Sequence, residues 1–338
     1  MPLIQEAVSL VAVTSLNGES CAKGCAEGDE CAFAAVSVLE LAGSPWLYVN
    51  QAGGAHAEWV ALELASWTTE DPTDVFGVGD LIIVVNGAEA LPLARSMDKG
   101  VSVAYLAGNT DMTTYPPLAG DAITPDKLIL VGTDGYVWMS TDFGDTWTTV
   151  DAGGASSGED LTKVVICRQN PAVIYAVGAN NAIVKSENGG YTWVGLTGPS
   201  AGDALVALEV LHQNDLLVGN DDGELWYSAD GGETWVMQGA FPGLPAAASL
   251  NAISCCACGS MDKHGVCYAV VEDTSSLSFG VGAHMLYRNA GWGANQWEAE
   301  TGFGLLNLPP LDVVCCHNNR ALVVGGNGTD EGFTGLIA

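Results

Sequence analysis

An eight-residue pattern, Ser-x-Asp-x-Gly-x-Thr-Trp, constrains this chain more than any other feature, because it returns at a nearly fixed interval. It reads STDFGDTW from Ser140, SENGGYTW from Ser186 and SADGGETW from Ser228, in steps of 46 and 42 residues. A weaker copy, SMDKGVSV, starts at Ser96, 44 residues before Ser140, and carries Val103 where the others have Trp. Self-similarity at a period of roughly 20 to 50 residues marks a repeat architecture. Around each copy the same frame recurs, as in LTKVVIC, VIYAVGA, AIVKSEN and TWVGLT over 161–197. Short runs rich in Val, Ile, Tyr and Trp, separated by Gly, Asn and Asp, suit an antiparallel meander. Four strands in a period of about 40 to 50 residues is the arithmetic of a propeller blade.

The expected fold is therefore all-β, a β-propeller of four-stranded antiparallel blades that forms a single domain over 1–338. Two longer turns, NQAGGAHAEW ending at Trp59 and RNAGWGANQW ending at Trp297, read as the first and sixth copies. The final runs LDVVCC, RALVVGG and FTGLIA read as a partial seventh blade, whose missing outer strand the N-terminus near LIQEAVSLV would supply to close the ring. Six blades with extra strands is the alternative. The step from Ser228 to Arg288 is 60 residues and holds a Cys-containing insertion at 240–266.

The turn chemistry reads as structural. A tight turn needs a residue that tolerates positive φ, the role given to Gly144, Gly190 and Gly232, with Gly100 at the same offset. Asp142, Asn188 and Asp230, with Asp98 in the weaker copy, supply acceptors for backbone N–H groups that the turn leaves unpaired. Ser96, Ser140, Ser186, Ser228, Thr146, Thr192 and Thr234 complete the pattern. Trp147, Trp193 and Trp235 open the next strand, where an aromatic body can fill the wedge between sheets while its N–H finds a partner. Asn188 decides against catalysis here, since an amide keeps the turn hydrogen bonds but cannot act as a general acid.

These copies resemble the Asp-box, also called the bacterial neuraminidase repeat. The resemblance implies a propeller and brings in sialidases and glycoside hydrolases as a function class. A sialidase-like site would need an arginine cluster and a Tyr nucleophile with an acidic partner. The chain has only Arg95, Arg168, Arg288 and Arg320, and none lies in a Phe-Arg-Ile-Pro-like segment. No catalytic residue is assigned, and the chain is expected not to be an enzyme. Trp292, with Trp67 and Trp138, reads first as blade packing, with stacking on a glycan or partner as the alternative.

Charge narrows the partners. Forty acidic residues against ten Lys and Arg give a net charge of -30, which repels phosphate backbones, so no nucleic acid is expected. The start has Glu6 and no basic residue before it, and no run is long enough to cross a bilayer, so neither a secretory leader nor membrane insertion is expected. Ten cysteines fall into two classes. Cys167, Cys255, Cys256, Cys315 and Cys316 end first strands and read as buried reduced thiols. Cys21, Cys25, Cys31, Cys258 and Cys267 are the disulfide candidates. No cofactor is expected; calcium at Asp221 and Asp222 in GNDDGE, or zinc among the cysteines, are the alternatives.

Among propellers with this turn, the chain is similar to the sortilin type, to the photosystem II assembly factor family and to bacteriophage structural propellers. The absent leader, the acidity and the cysteines favour the last of these. The expected function is a non-enzymatic structural or protein-interaction propeller made in the cytoplasm and carried in a large assembly, most plausibly the tail or capsid of a bacteriophage virion. A glycan-binding or glycoside-hydrolase-like propeller and an assembly factor for a membrane complex are the alternatives.

Overall fold

The computed structural model describes residues 10–16, 32–37, 44–50, 59–67, 70–156, 158–200, 202–238, 241, 248–255, 266–273, 284–289, 297–299, 310–315, 321–326 and 332–337. They form antiparallel sheets whose strands follow chain order. Sheet 1 holds β1 (Leu10–Ser15), β2 (Phe33–Ser37), β3 (Trp46–Asn50) and β4 (Trp59–Glu63); sheet 2 holds β5 (Asp74–Val78), β6 (Leu81–Val85), β7 (Leu93–Ser96) and β8 (Ala104–Leu106). Sheet 3 holds β9 (Pro117–Thr124), β10 (Lys127–Gly132), β11 (Tyr136–Ser140) and β12 (Thr148–Asp151); sheet 4 holds β13 (Leu161–Ile166), β14 (Ile174–Gly178), β15 (Ala182–Ser186) and β16 (Val194–Thr197). Sheet 5 holds β17 (Leu205–His212), β18 (Asp215–Asn220), β19 (Leu225–Ser228) and β20 (Val236–Met237); sheet 6 holds β21 (Ala248–Cys255), β22 (Cys267–Asp273), β23 (His284–Asn289) and β24 (Glu298–Ala299). Sheet 7 has three described strands, β25 (Pro310–Cys315), β26 (Ala321–Gly326) and β27 (Gly332–Ile337).

The first strand of each sheet lies against the first strand of the next, and β25 lies against β1, so the sheets form a closed ring consistent with seven blades. Residues 3–9 of the run LIQEAVSLV, expected to complete the last sheet, lie outside the described residues. The strand Leu10–Ser15 pairs with β2 and is the innermost strand of sheet 1. The reason is local: Ala12 to Ser15 find their ladder in Phe33–Val36, and the two strands bury Val13, Phe33 and Ala35 against Leu322 and Val324 of sheet 7. The insertion is narrower than 240–266, because β21 runs through it: Leu250, Ala252 and Ile253 are buried, which makes this stretch the inner strand of sheet 6.

The core consists of slabs between neighbouring sheets, such as Ile129, Val131 and Met139 of sheet 3 against Val164, Ile166 and Val184 of sheet 4. Middle strands are therefore buried on both faces, as in the LIIVV of β6. Trp67 and Trp138 belong to such slabs, at 1% and 0% exposure, and neither is free to stack on a glycan. Apolar rings of this size fill the wedge more favourably than they would sit in water. Trp292 lies outside the described residues.

Each described copy of the repeated turn joins the third strand of its sheet to the fourth. At Ser140, the hydroxyl accepts the Gly144 N–H at 2.8 Å and donates to Asp142 Oδ1 at 2.8 Å. Asp142 then accepts the Thr146 N–H at 2.9 Å and the Thr146 hydroxyl at 2.6 Å. The copies at Ser96 and Ser228 repeat this set, with Ser102 standing in for Thr in the first. At Asn188 one bond reverses direction: its Nδ2 donates to Thr192 Oγ1 at 2.8 Å, and the other bonds are kept. The turn glycines Gly100, Gly144, Gly190 and Gly232 have φ of 78°, 85°, 97° and 91°. Gly190 has a second constraint, since a Cβ there would meet Ile129 Cδ1 and Met139 Sδ of the preceding sheet at 2.7 Å.

The residue after the turn packs onto the preceding sheet throughout. Trp147 joins the slab between sheets 2 and 3, Trp193 that between 3 and 4, Trp235 that between 4 and 5, and Trp297 that between 5 and 6. Val103 takes this place between sheets 1 and 2. The indole N–H donates to Gly190 O from Trp193 and to Thr197 O from Trp235, but Trp147 Nε1 has no partner. Its ring is buried in the slab, at 8% exposure.

The cysteines divide differently from the expectation. Cys255 ends β21, Cys267 opens β22, and the two are directly opposed in register and joined by a disulfide. Cys255 is therefore not a free thiol: antiparallel pairing sets its Cα 4.0 Å from that of Cys267, a proximity invisible without the register. Cys167 and Cys315 are buried, and the Cys315 thiol donates to Ser254 O at 3.3 Å. Cys21, Cys25, Cys31, Cys256, Cys258 and Cys316 lie outside the described residues. No described helix is long and apolar enough to cross a membrane.

Candidate functional site

The ring leaves a central channel of about 260 Å³ lined by its innermost strands. Those strands read as apolar runs, yet most carry one charged residue: Asp74 on β5, Asp121 on β9, Lys163 on β13, Glu209 on β17 and Asp312 on β25, with Arg168 just after β13. Each acid reaches sideways to a backbone N–H of the next sheet. Asp74 Oδ2 accepts from Gly120 at 2.9 Å, Asp121 Oδ2 from Ile166 at 2.7 Å, and Asp312 Oδ2 from Val13 at 2.9 Å. Glu209 accepts from the Cys255 N–H in the same manner, and Ser254 Oγ accepts from Cys315 at 3.0 Å. An innermost strand has no further strand to pair with, so these side chains satisfy donors that would otherwise be orphaned.

The charges form two groups. In the first, Lys163 feels both Asp74 and Asp312. Burial pushes Asp74 up to about 6, Lys163 and the Gly120 N–H pull it back, and the charge of Asp312 adds to the rise. Asp312 is raised for the same reason, burial outweighing Lys163 and the N–H groups of Val13 and Val313. Burial alone would lower Lys163, but its two carboxylates more than offset this and hold it above the ordinary value. All three side chains are hemmed in by protein while remaining half-buried, because the channel stays open beside them.

In the second group, Arg168 is committed to Asp121: Nη2 donates to Asp121 Oδ1 at 2.7 Å and Nη1 to Ala122 O at 2.6 Å. Burial raises Glu209 up to about 8, with Arg168 and the Cys255 N–H opposing and Asp121 adding to the rise. At neutral pH Glu209 is therefore largely protonated, an uncommon state for a carboxyl.

Chemically, the channel can hold and orient a charged or polar group. None of the turn residues named from sequence reaches it; they lie at the joins between third and fourth strands. Asp221 and Asp134 are also turn residues: Asp221 Oδ1 accepts the Ala204 N–H at 3.0 Å, and the Asp134 N–H donates to Asp160 at 2.9 Å. Among the described residues, no three metal-ligating side chains come together. Sequence reading missed the channel charges, though each left a signal, a single charged letter inside an apolar first run, as in LTKVVI, ALEVL and LDVV.

No family model matches the chain, and no curated protein matches it by sequence. Solved structures do match. YCF48 from Cyanidioschyzon merolae superposes with a TM-score of 0.67 at 14% identity, covering 98% of this chain and 97% of that one. YCF48 bound to D1 peptide gives 0.65 at 12% identity, covering 99% and 95%. The GH74 xyloglucanase from Xanthomonas campestris gives 0.62 at 16% identity over 95% of this chain, which spans 51% of the enzyme. At such identities the likeness speaks for architecture alone, and it agrees with the ring described above: the chain is a β-propeller.

Proposed function

We propose that the chain is a non-enzymatic protein-interaction propeller of the assembly-factor type, which holds a short basic segment of a partner protein. The observation that carries this reading is the acid-lined channel at the centre of a chain of net charge -30. A field of that sign draws in basic segments and raises their rate of encounter. A similar propeller, YCF48, has been captured with a peptide, which adds support. Arg95 and Arg168 are not gathered as a sialidase clamp would need, since Arg95 is tied to Asp145 and Phe143 O and Arg168 to Asp121 in the channel. The virion placement expected from sequence rests on charge and composition, and the neighbours above favour a peptide-binding role over it. Likeness to a GH74 enzyme keeps glycan binding as a second reading, weakened by the burial of Trp67 and Trp138.

The test is a panel of basic, neutral and acidic 15-residue peptides, with xyloglucan oligosaccharides alongside, measured by fluorescence anisotropy at low and high salt. Basic peptides should bind, with affinity falling as salt rises. Binding or cleavage of the oligosaccharides with no peptide binding would overturn the reading in favour of the glycan one.

A further inference from the structure

We propose that the Glu209 side of the channel is a receptor for one arginine side chain of the partner, a deepening that rests on the peptide-binding reading. The volume sets the scale. The channel, about 260 Å³ and open to solvent, has room for a guanidinium and its stem. Charge then selects the end. Beside Asp74 and Asp312 the cationic place is already filled by Lys163. Beside Glu209 it is not. Arg168 donates from Nη2 to Asp121 and from Nη1 to Ala122 O, and it acts on Glu209 through its charge.

The groups facing Glu209 are Arg168 from the end of β13, Asp121 from β9, and the backbone N–H of Cys255 from β21, whose sulfur is bridged and does not titrate. The Glu209 side chain is thus half-buried beside the open channel, largely protonated at neutral pH and without a contacting cation among the described residues. An entering guanidinium supplies that cation in a forked geometry that matches a carboxylate. The Glu209 O–H bond then breaks, its proton passes to bulk water, and no other bond changes. Binding and proton release are one event. Arginine suits this better than lysine, because its planar fork meets both carboxylate oxygens where an ammonium offers a point charge.

The probe is the acetylated, amidated peptide Gly-Gly-Arg-Gly-Gly, with a citrulline version as the uncharged isostere, titrated calorimetrically from pH 7 to pH 9. A group titrating near 8 goes from about one-tenth to nine-tenths ionised over that range, so arginine affinity should rise about tenfold. Citrulline should show no such rise. Glu209→Gln, which matches the neutral side chain and so preserves the fold at pH 7, should flatten the pH dependence and weaken arginine binding at pH 9 about tenfold or more. Equal binding of the arginine and citrulline peptides, or an unchanged pH profile in Glu209→Gln of native melting temperature, would overturn the receptor. If basic 15-residue peptides bind while these five-residue probes show no Glu209 dependence, the receptor fails and the peptide reading stands. If the arginine probe binds through Glu209 while no longer peptide binds, the receptor stands and the peptide reading fails.

Discussion

The turns at the strand joins and the channel at the axis use the same side chains to opposite electrostatic ends. In the turns, hydrogen bonds from Thr234 and Ser228 hold Asp230 down to about 2, and Asp98 and Asp142 are likewise lowered by Ser102 and Thr146. In the channel, burial lifts Asp74 to about 6 and Glu209 to about 8, although both accept backbone N–H bonds of similar kind. What differs is solvent. A carboxylate that keeps water and gains three donors becomes more acidic; one that loses water and gains one or two becomes less so. The turns therefore tolerate Asn in place of Asp, as at Asn188, whereas the channel acids are charged only conditionally.

That contrast can be broken most forcefully at the seam between the last and first sheets. Asp312→Ala orphans the Val13 and Val313 N–H groups and removes one counter-charge from Lys163, and it should cost about 3 kcal/mol in a urea titration. Next is Glu209→Gln. A carboxyl raised above its unfolded value stabilises least once pH exceeds the folded pKa, so stability should decline from about pH 4.5 to 8 in the parent chain and less in the variant. The gain at pH 9 should be on the order of 2 kcal/mol after discounting for channel water, with none at pH 4.

Ser140→Ala should be smaller, about 1 kcal/mol, because it leaves the Gly144 N–H without its acceptor but disturbs one turn only. Asp142→Asn should sharpen the comparison at the lower end. It imitates Asn188 and should fall within about 0.5 kcal/mol at pH 7. Its signature is in acid: the turn's contribution is present above the ordinary Asp value and lost as pH falls through the lowered one, and hydrogen exchange of Thr146 should lose that acid dependence in the variant.

The turns were legible in the sequence because everything they need lies within eight residues: acceptor, positive-φ glycine and wedge-filling ring. Their repetition made the four-strand frame legible as well. The channel was not, since its charges are contributed from Asp74 to Asp312 and meet only when the ring closes. A lone Lys163 in LTKVVI looks like an interruption until Asp74 and Asp312 are seen beside it. The disulfide was misread for a related reason: Cys255 and Cys267 become neighbours through strand register, which spacing alone does not fix. For Trp67 and Trp138 the sequence left blade packing and glycan stacking both open, because a buried wedge and an exposed stacking platform call for the same residue, and the structure places both in the packing.

The bond from the Val13 N–H to Asp312 spans 299 positions of sequence. Every other seam joins sheets that leave the ribosome in succession, so each can dock as soon as its neighbour is made. Sheet 1 must wait, with the face that will meet Leu322 and Val324 uncovered, until the last strands are synthesised. Closing so long a loop costs more chain entropy than closing any other described seam, since the others join sheets adjacent in sequence. The propeller is in this sense a latch whose two halves are made first and last, and the interval between them is when a nascent chain of this kind is most open to wrong partners.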